Sequence, residues 1–171
     1  MKKYFPLIFL MIVISCKDGL SPEEKAENNI LYYSSFESEI EFYGWDGIGT
    51  SNQNSDVPYI GGNFSVLISG GCVVPHSYYV FGDTIKSGYY TVECWSKLLL
   101  HEGNVSLQYR DTYNNSITNV WISVSDTIWT KKTSDPIFLP KGKLLEIEMN
   151  SGGFVPGGML IDELKVIKVE K

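Results

Sequence analysis

From Ile30 to the end of the chain, apolar residues recur at every second position in short runs, each stopped by Gly, Asn, Asp or Pro. That period belongs to strands with one buried face, because successive side chains point to opposite sides of a sheet. Residues 63–69 put Phe64, Val66 and Ile68 on one side. From Gly88, Tyr90, Val92 and Cys94 stand against Thr91, Glu93, Trp95 and Lys97. Val105, Leu107 and Tyr109 repeat the pattern, as do Val120, Ile122 and Val124, and Leu145, Ile147 and Met149. The closing stretch sets Leu160, Asp162, Leu164 and Val166 against Ile161, Glu163, Lys165 and Ile167. Turn-forming clusters at 111–115 and 150–153 separate the runs, and no amphipathic run is long enough to demand a helix. The spacing predicts an all-β fold, an antiparallel two-sheet sandwich occupying 30–171 as a single domain.

The segment before Ile30 has a different character. Lys2 and Lys3 precede an uncharged apolar run from Tyr4 to Ile14, too short to cross a bilayer and suited to the core of an export signal. Val13-Ile14-Ser15-Cys16 resembles the lipobox of bacterial lipoproteins. The resemblance implies that 1–15 is a signal peptide removed before Cys16, and that acyl chains on Cys16 anchor the protein to a membrane. An ordinary cleaved signal with an incidental cysteine is the other reading. Residues 16–29 are polar and acidic, a composition that predicts a flexible tether. Lys17-Asp18 is similar to part of the charged signal that follows the acylated cysteine in surface-displayed Bacteroidetes lipoproteins. The expected location is the bacterial cell envelope, as an outer-membrane lipoprotein, with the displaying leaflet left open.

Net charge is −6, becoming −8 once Lys2 and Lys3 are lost, and no Lys/Arg cluster is present. That balance argues against nucleic acid as a partner. With Cys16 assigned to lipidation, Cys72 and Cys94 can form a disulfide outside the cytosol or remain two free thiols in the core. His76 and His101 are isolated and give no zinc-site spacing.

Several short motifs, in order, point to a family. They are Phe36-Glu37, Gly61-Gly62-Asn63-Phe64-Ser65, Tyr90-Thr91-Val92 leading to Trp95, and Leu160-Ile161-Asp162-Glu163-Leu164. Together they resemble the jelly-roll carbohydrate-binding modules, also called galactose-binding-domain-like folds. The resemblance covers about 30–171 and implies a jelly roll that binds rather than converts. It also implies a structural Ca2+ held by Glu37 and Asp162, with backbone carbonyls completing a hard oxygen shell. Here Ser34-Ser35 replaces the family's usual Asn and Gly before Phe-Glu. The alternative is a solvated Glu37 and an Asp162 that caps a turn or pairs with a lysine.

The residues themselves suggest a ligand. Pyranose rings stack their apolar C–H faces on Trp and Tyr while polar neighbours fix the hydroxyls. Trp95 shares a strand face with Glu93 and Lys97. Trp121 shares one with Ser123 and Ser125, and Gln108 and Arg110 are expected on the same sheet surface. These six, Trp95, Trp121, Glu93, Lys97, Gln108 and Arg110, form the expected glycan site; the opposite reading puts the tryptophans in the core. Tyr59, Tyr78, Tyr79 and Trp45 are candidates for a rim site. Glu146 and Glu148 share a face at i, i+2, but two glutamates there are the ordinary polar half of an alternating strand. No nucleophile elbow, P-loop or dinucleotide fingerprint occurs, so the expectation is a binding module and not an enzyme. The competing class is an accessory module that docks on a partner protein of the envelope. Asp83-Thr84-Ile85 and Asp126-Thr127-Ile128 are similar to O-glycosylation acceptors of exported Bacteroidetes proteins.

Overall fold

The computed structural model describes residues 29–70, 76–82, 85–111, 115–152 and 157–170. The signal and tether expectations, with Cys16, and the acceptor at Thr84 lie outside these residues. The described residues form twelve strands: β1 (Ile30–Ser34), β2 (Trp45–Asp46), β3 (Gln53–Asn54), β4 (Ser65–Ser69), β5 (His76–Val80), β6 (Gly88–Leu100), β7 (Gly103–Arg110), β8 (Ile117–Val124), β9 (Thr130–Thr133), β10 (Ile137–Leu139), β11 (Leu145–Ser151) and β12 (Gly158–Val169). Two 3-10 turns, Glu39–Phe42 and Thr50–Asn52, interrupt the early part of the chain.

The strands make two antiparallel sheets, the sandwich that the alternation predicts, in the jelly-roll form that the family resemblance implies. One sheet runs β10-β6-β12-β4-β3, with β1 also on β12 and β9 also on β6; the other runs β2-β5-β11-β7-β8. Leu145, Ile147 and Met149 of β11, with Val105 and Leu107 of β7, face Val92 and Cys94 of β6 and Leu164 and Val166 of β12 across a core with no solvent exposure. Each such aliphatic side chain contributes about 1.5–3 kcal/mol on burial. Aromatic rings close one side of the core. Tyr32 packs against Trp45, Tyr79 and Phe81, and Trp45 Nε1 donates to the Tyr32 hydroxyl at 2.8 Å. Trp45 and Tyr79 are thus core and not rim.

Two sequence expectations are corrected, at Phe64 and along β12. Phe64 lies before β4 and is exposed, leaving Val66 and Ile68 as its inward residues. Among the described residues Cys94 is a free thiol at the centre of the core, where burial pushes its pKa up to about 12; Cys72, its possible disulfide partner, lies outside them. The alternation of β12 changes parity midway. Met159 and Ile161 face the core before Asp162, and Leu164 and Val166 face it afterwards. Between them the partners on β6 skip from Trp95 to Glu93 while β12 advances from Asp162 to Lys165, one residue more than the ladder needs. This β-bulge puts Glu163 at φ +51. It also marks where β12 exchanges neighbours, since β1 ends opposite Leu164 and β4 begins opposite Ile161.

Candidate functional site

The outer faces of the two sheets differ in what covers them. Over the seven-stranded sheet the loop between β3 and β4 lies against β6 and β12. Asp56 fastens it, accepting from Trp129 Nε1 at 2.8 Å and pairing with Lys97 Nζ. Those two donors, the lysine first, hold the Asp56 carboxyl below the ordinary aspartate range. Tyr59 of this loop caps Trp95 edge-on at 5.3 Å between ring centroids. Glu93 pairs with Lys131 at 2.9 Å and accepts from Thr133 Oγ1 at 3.2 Å. Three of the six expected ligand residues, Trp95, Glu93 and Lys97, therefore sit on this face, engaged with the protein's own loop and edge strand.

Trp121, Gln108 and Arg110 lie on the other outer face, that of the five-stranded sheet. The six expected residues are split between opposite sides of the sandwich. The strand alternation that places them is the same, but the chain enters different sheets.

On the five-stranded sheet an aligned row crosses four strands: Trp121 pairs with Ser106, Ser106 with Glu148, and Glu148 with Tyr78. Three strand spacings separate the two aromatics, about 14 Å. Trp121 is 62% exposed, although core positions Ile122 and Val124 flank it on the same strand. A large aromatic standing that far out of a sheet edge gains nothing from the core. Tyr78 stands on the opposite bank, where the neighbouring Asp46 charge raises its hydroxyl above the ordinary tyrosine range and keeps it a neutral donor. Two cavities adjoin along this face. One, about 550 Å3, is lined by Asn104, Ser106, Asn119, Trp121, Glu148 and Asn150 among others. The second, about 450 Å3, is lined by His76, Tyr78, Gln108, Arg110, Glu146 and Glu148 among others. Glu148 belongs to both, so together they form one groove with a polar floor. His76 Nδ1 contacts Glu148 Oε1, Gln108 Nε2 donates to Glu146 Oε2 at 3.3 Å, and Arg110 donates to Asn115 Oδ1 at 3.2 Å.

The sequence reading missed Asn104, Ser106, Asn119 and Asn150 as groove residues. Their signal was present as the polar half of the alternation on β7, β8 and β11, but polar residues on a solvated face look the same.

A second constellation surrounds the β12 bulge. Glu41 accepts from the backbone N–H of Ser35 and of Phe36, both at 2.7 Å, and from the hydroxyls of Ser34 and Ser38. Burial pushes its carboxyl up, but these hydrogen bonds outweigh it and hold the group below the ordinary range. Ser34-Ser35, the departure from the family pattern, thus has a local role as donors to Glu41. Glu37 Oε1 accepts from the N–H of Asn63 at 2.7 Å and of Phe64 at 2.8 Å, fixing the turn into β4. Asp162 is wholly buried, and its Oδ1 accepts from the Glu163 N–H at 2.7 Å while Oδ2 has no partner among the described residues. Burial first, then the charges of Glu163, Glu37 and Glu41, raise its pKa to about 7. Gly61 and Gly62 press against Asp162 Oδ2 and Glu37, where a Cβ on either glycine would collide.

One feature here is of the kind a hard cation uses, the buried Asp162 Oδ2 without a hydrogen-bond donor, with Glu37 on the far side of Gly61 and Gly62. Among the described residues no three His, Cys, Asp or Glu side chains converge, so backbone carbonyls would have to supply much of the shell.

No family model matches the sequence, and no curated protein matches it. Solved structures do match in fold. The CBM22-1 xylan-binding domain from Paenibacillus barcinonensis Xyn10C superposes with a TM-score of 0.62 at 18% identity, over 83% of this chain and 96% of that one. The CBM22-1 and GH10 modules of Clostridium thermocellum xylanase 10B, complexed with xylohexaose, give 0.60 at 14% identity, over 84% of this chain; this chain spans 29% of that one. A cleaved adhesin domain of Lys-gingipain from Porphyromonas gingivalis gives 0.54 at 14% identity, over 81% and 99%. What they share with this chain is the jelly-roll sandwich fold.

Proposed function

We propose that this chain is a non-catalytic glycan-binding module of the bacterial cell envelope, and that the groove on the five-stranded sheet is where the glycan lies. The observation carrying the reading is the exposed Trp121 over a floor of amides, hydroxyls and carboxylates, with Tyr78 on the far bank. Trp121 offers a flat apolar platform for a sugar ring, and Ser106, Asn104, Asn119 and Glu148 stand within reach of its hydroxyls. Structural likeness to modules described as xylan-binding or complexed with xylohexaose supports the same class of ligand.

The partner-protein alternative calls for a wider surface with an apolar centre. Here the centre of the face is Ser106, Glu148 and Gln108, which disfavours it. Acylated Cys16 would hold the module to the outer membrane, with 17–29 as its tether. A Ca2+ held by Asp162 with Glu37 beside it would neutralise the charge buried at the bulge and fix the loop over the seven-stranded sheet; it would take no part in ligand chemistry. The test is a glycan array probed with the full chain in nonionic detergent. Signal from wild type that vanishes in a folded Trp121→Ala variant supports the groove. Absence of signal from wild type favours a protein partner.

A further inference from the structure

We infer that Glu146 and Glu148 make the groove selective for uncharged glycan and turn away polyanionic chains such as uronic-acid or sulfated polysaccharides, an inference that rests on the glycan reading of that groove. Glu148 stands at the junction of the two cavities, and Glu146 lies one pleat further along the same strand face. Glu102 lines the end of the first cavity. Among the described residues neither Glu146 nor Glu148 is paired with a lysine or arginine; their contacts are His76 and Gln108. Arg110 lies in the second cavity and donates to Asn115.

The chemistry of the floor follows from its inventory. A carboxylate only accepts, and its two oxygens offer about four lone-pair positions. Glu148 and Glu146 each spend part of that capacity within the protein and present the rest to the groove. Sugar hydroxyls are donors, and an adjacent pair of them can bond one carboxylate in two places, each bond strengthened by the charge. A ligand carboxylate or sulfate brings only acceptors and a like charge. It would leave the groove's acceptors unmatched and face repulsion in a partly desolvated cleft, which is discrimination by clash as well as by fit. The amides of Asn104, Asn119 and Asn150 carry no charge, and Arg110 is the one lysine or arginine among the described lining residues, set against Glu102, Glu146 and Glu148.

The test is calorimetric titration of the full chain in nonionic detergent at low ionic strength. The neutral panel is xylan, β-glucan, mannan and galactan, and the anionic panel is polygalacturonate, alginate and chondroitin sulfate. Expected is a neutral ligand at least roughly tenfold tighter than any anionic one, a gap that narrows as added salt screens the repulsion. Glu146→Gln/Glu148→Gln, which keeps shape and removes charge, is expected to strengthen anionic binding by roughly tenfold while weakening the neutral ligand. Anionic chains binding wild type as tightly as neutral ones, or a double variant with unchanged anionic affinity, overturns the inference and leaves the glycan reading standing. Binding of neither panel overturns both.

Discussion

Asp162 on β12 and Trp95 on β6 are direct cross-strand partners, and each keeps one buried polar atom without a hydrogen bond, Oδ2 on the aspartate and Nε1 on the tryptophan. An acceptor and a donor are thus stranded side by side beneath the loop that carries Tyr59 and Gly61. Buried polar atoms without partners cost free energy, so this spot is expected to respond to protons and to an added cation. The two effects run in opposite directions and can be measured apart.

In the absence of metal, stability should fall as pH rises through the window from about 4 to about 7. The Asp162 pKa is raised from 3.8 to about 7, so the folded chain holds that proton more tightly than the unfolded one. The stabilisation is complete below the unfolded value and is gone above the folded one, a loss of a few kcal/mol at most. Glu41 and Asp56, both shifted down, act with the opposite sign and lose their contribution as pH drops below about 4. Urea midpoints with chelator present should therefore peak near pH 4 to 5, and Asp162→Asn should flatten the decline toward pH 8. A wild-type midpoint that rises between pH 5 and 8 contradicts this.

Calcium should reverse the loss where the carboxylate is ionised. Added Ca2+ is expected to raise the thermal midpoint at pH 8 by several degrees and to do little at pH 5, because a proton and a cation compete for the same oxygen. Trp95 stands next to Asp162, so Tb3+ in place of Ca2+ should emit on tryptophan excitation. Asp162→Asn should abolish both responses. An unchanged midpoint in wild type at pH 8, with no Tb3+ emission, removes the cation from the site.

How far the sequence carried this depends on the residue. Leu145, Ile147 and Met149 could be placed inside from alternation alone, because period two survives any sheet order. Which sheet a strand joins is a long-range fact with no local signal, so Trp95 and Trp121 looked equivalent in the sequence and lie on opposite sides. Asp162 and Leu164 looked coplanar, and the bulge separates them; it sits where β1 gives way to β4 along β12, strands far away in sequence. Glu37 and Asp162 were brought together by family resemblance, and the structure places them around the same pair of glycines. The groove's amides carried no distinguishing mark.

Anchoring can be examined separately from binding. If Cys16 carries the acyl chains, wild-type protein should fractionate with membranes, resist high-salt and carbonate washes, and incorporate labelled palmitate. Cys16→Ser should lose the label and appear in the soluble fraction. The folded domain should be indifferent to the change, since the described strands that build it begin at Ile30. Unlabelled wild-type protein that remains on the membrane would exclude the lipid anchor.

The two tryptophans make opposite predictions. Trp121 projects from β8 with 62% of its surface exposed, so Trp121→Ala should move stability by no more than about 0.5 kcal/mol. Its loss removes the stacking platform, and glycan affinity should drop by about tenfold or more, roughly 1.4 kcal/mol. Trp95 is packed beneath Tyr59 and pairs with Asp162, so Trp95→Ala should cost about 2–4 kcal/mol of stability through lost packing. Its binding, measured where the variant is still folded, should match wild type, because the groove is on the other sheet. Urea melts and ligand titrations on the two variants together decide which face binds. If Trp95→Ala loses affinity and Trp121→Ala keeps it, the site belongs on the seven-stranded sheet, and the groove is only solvated surface.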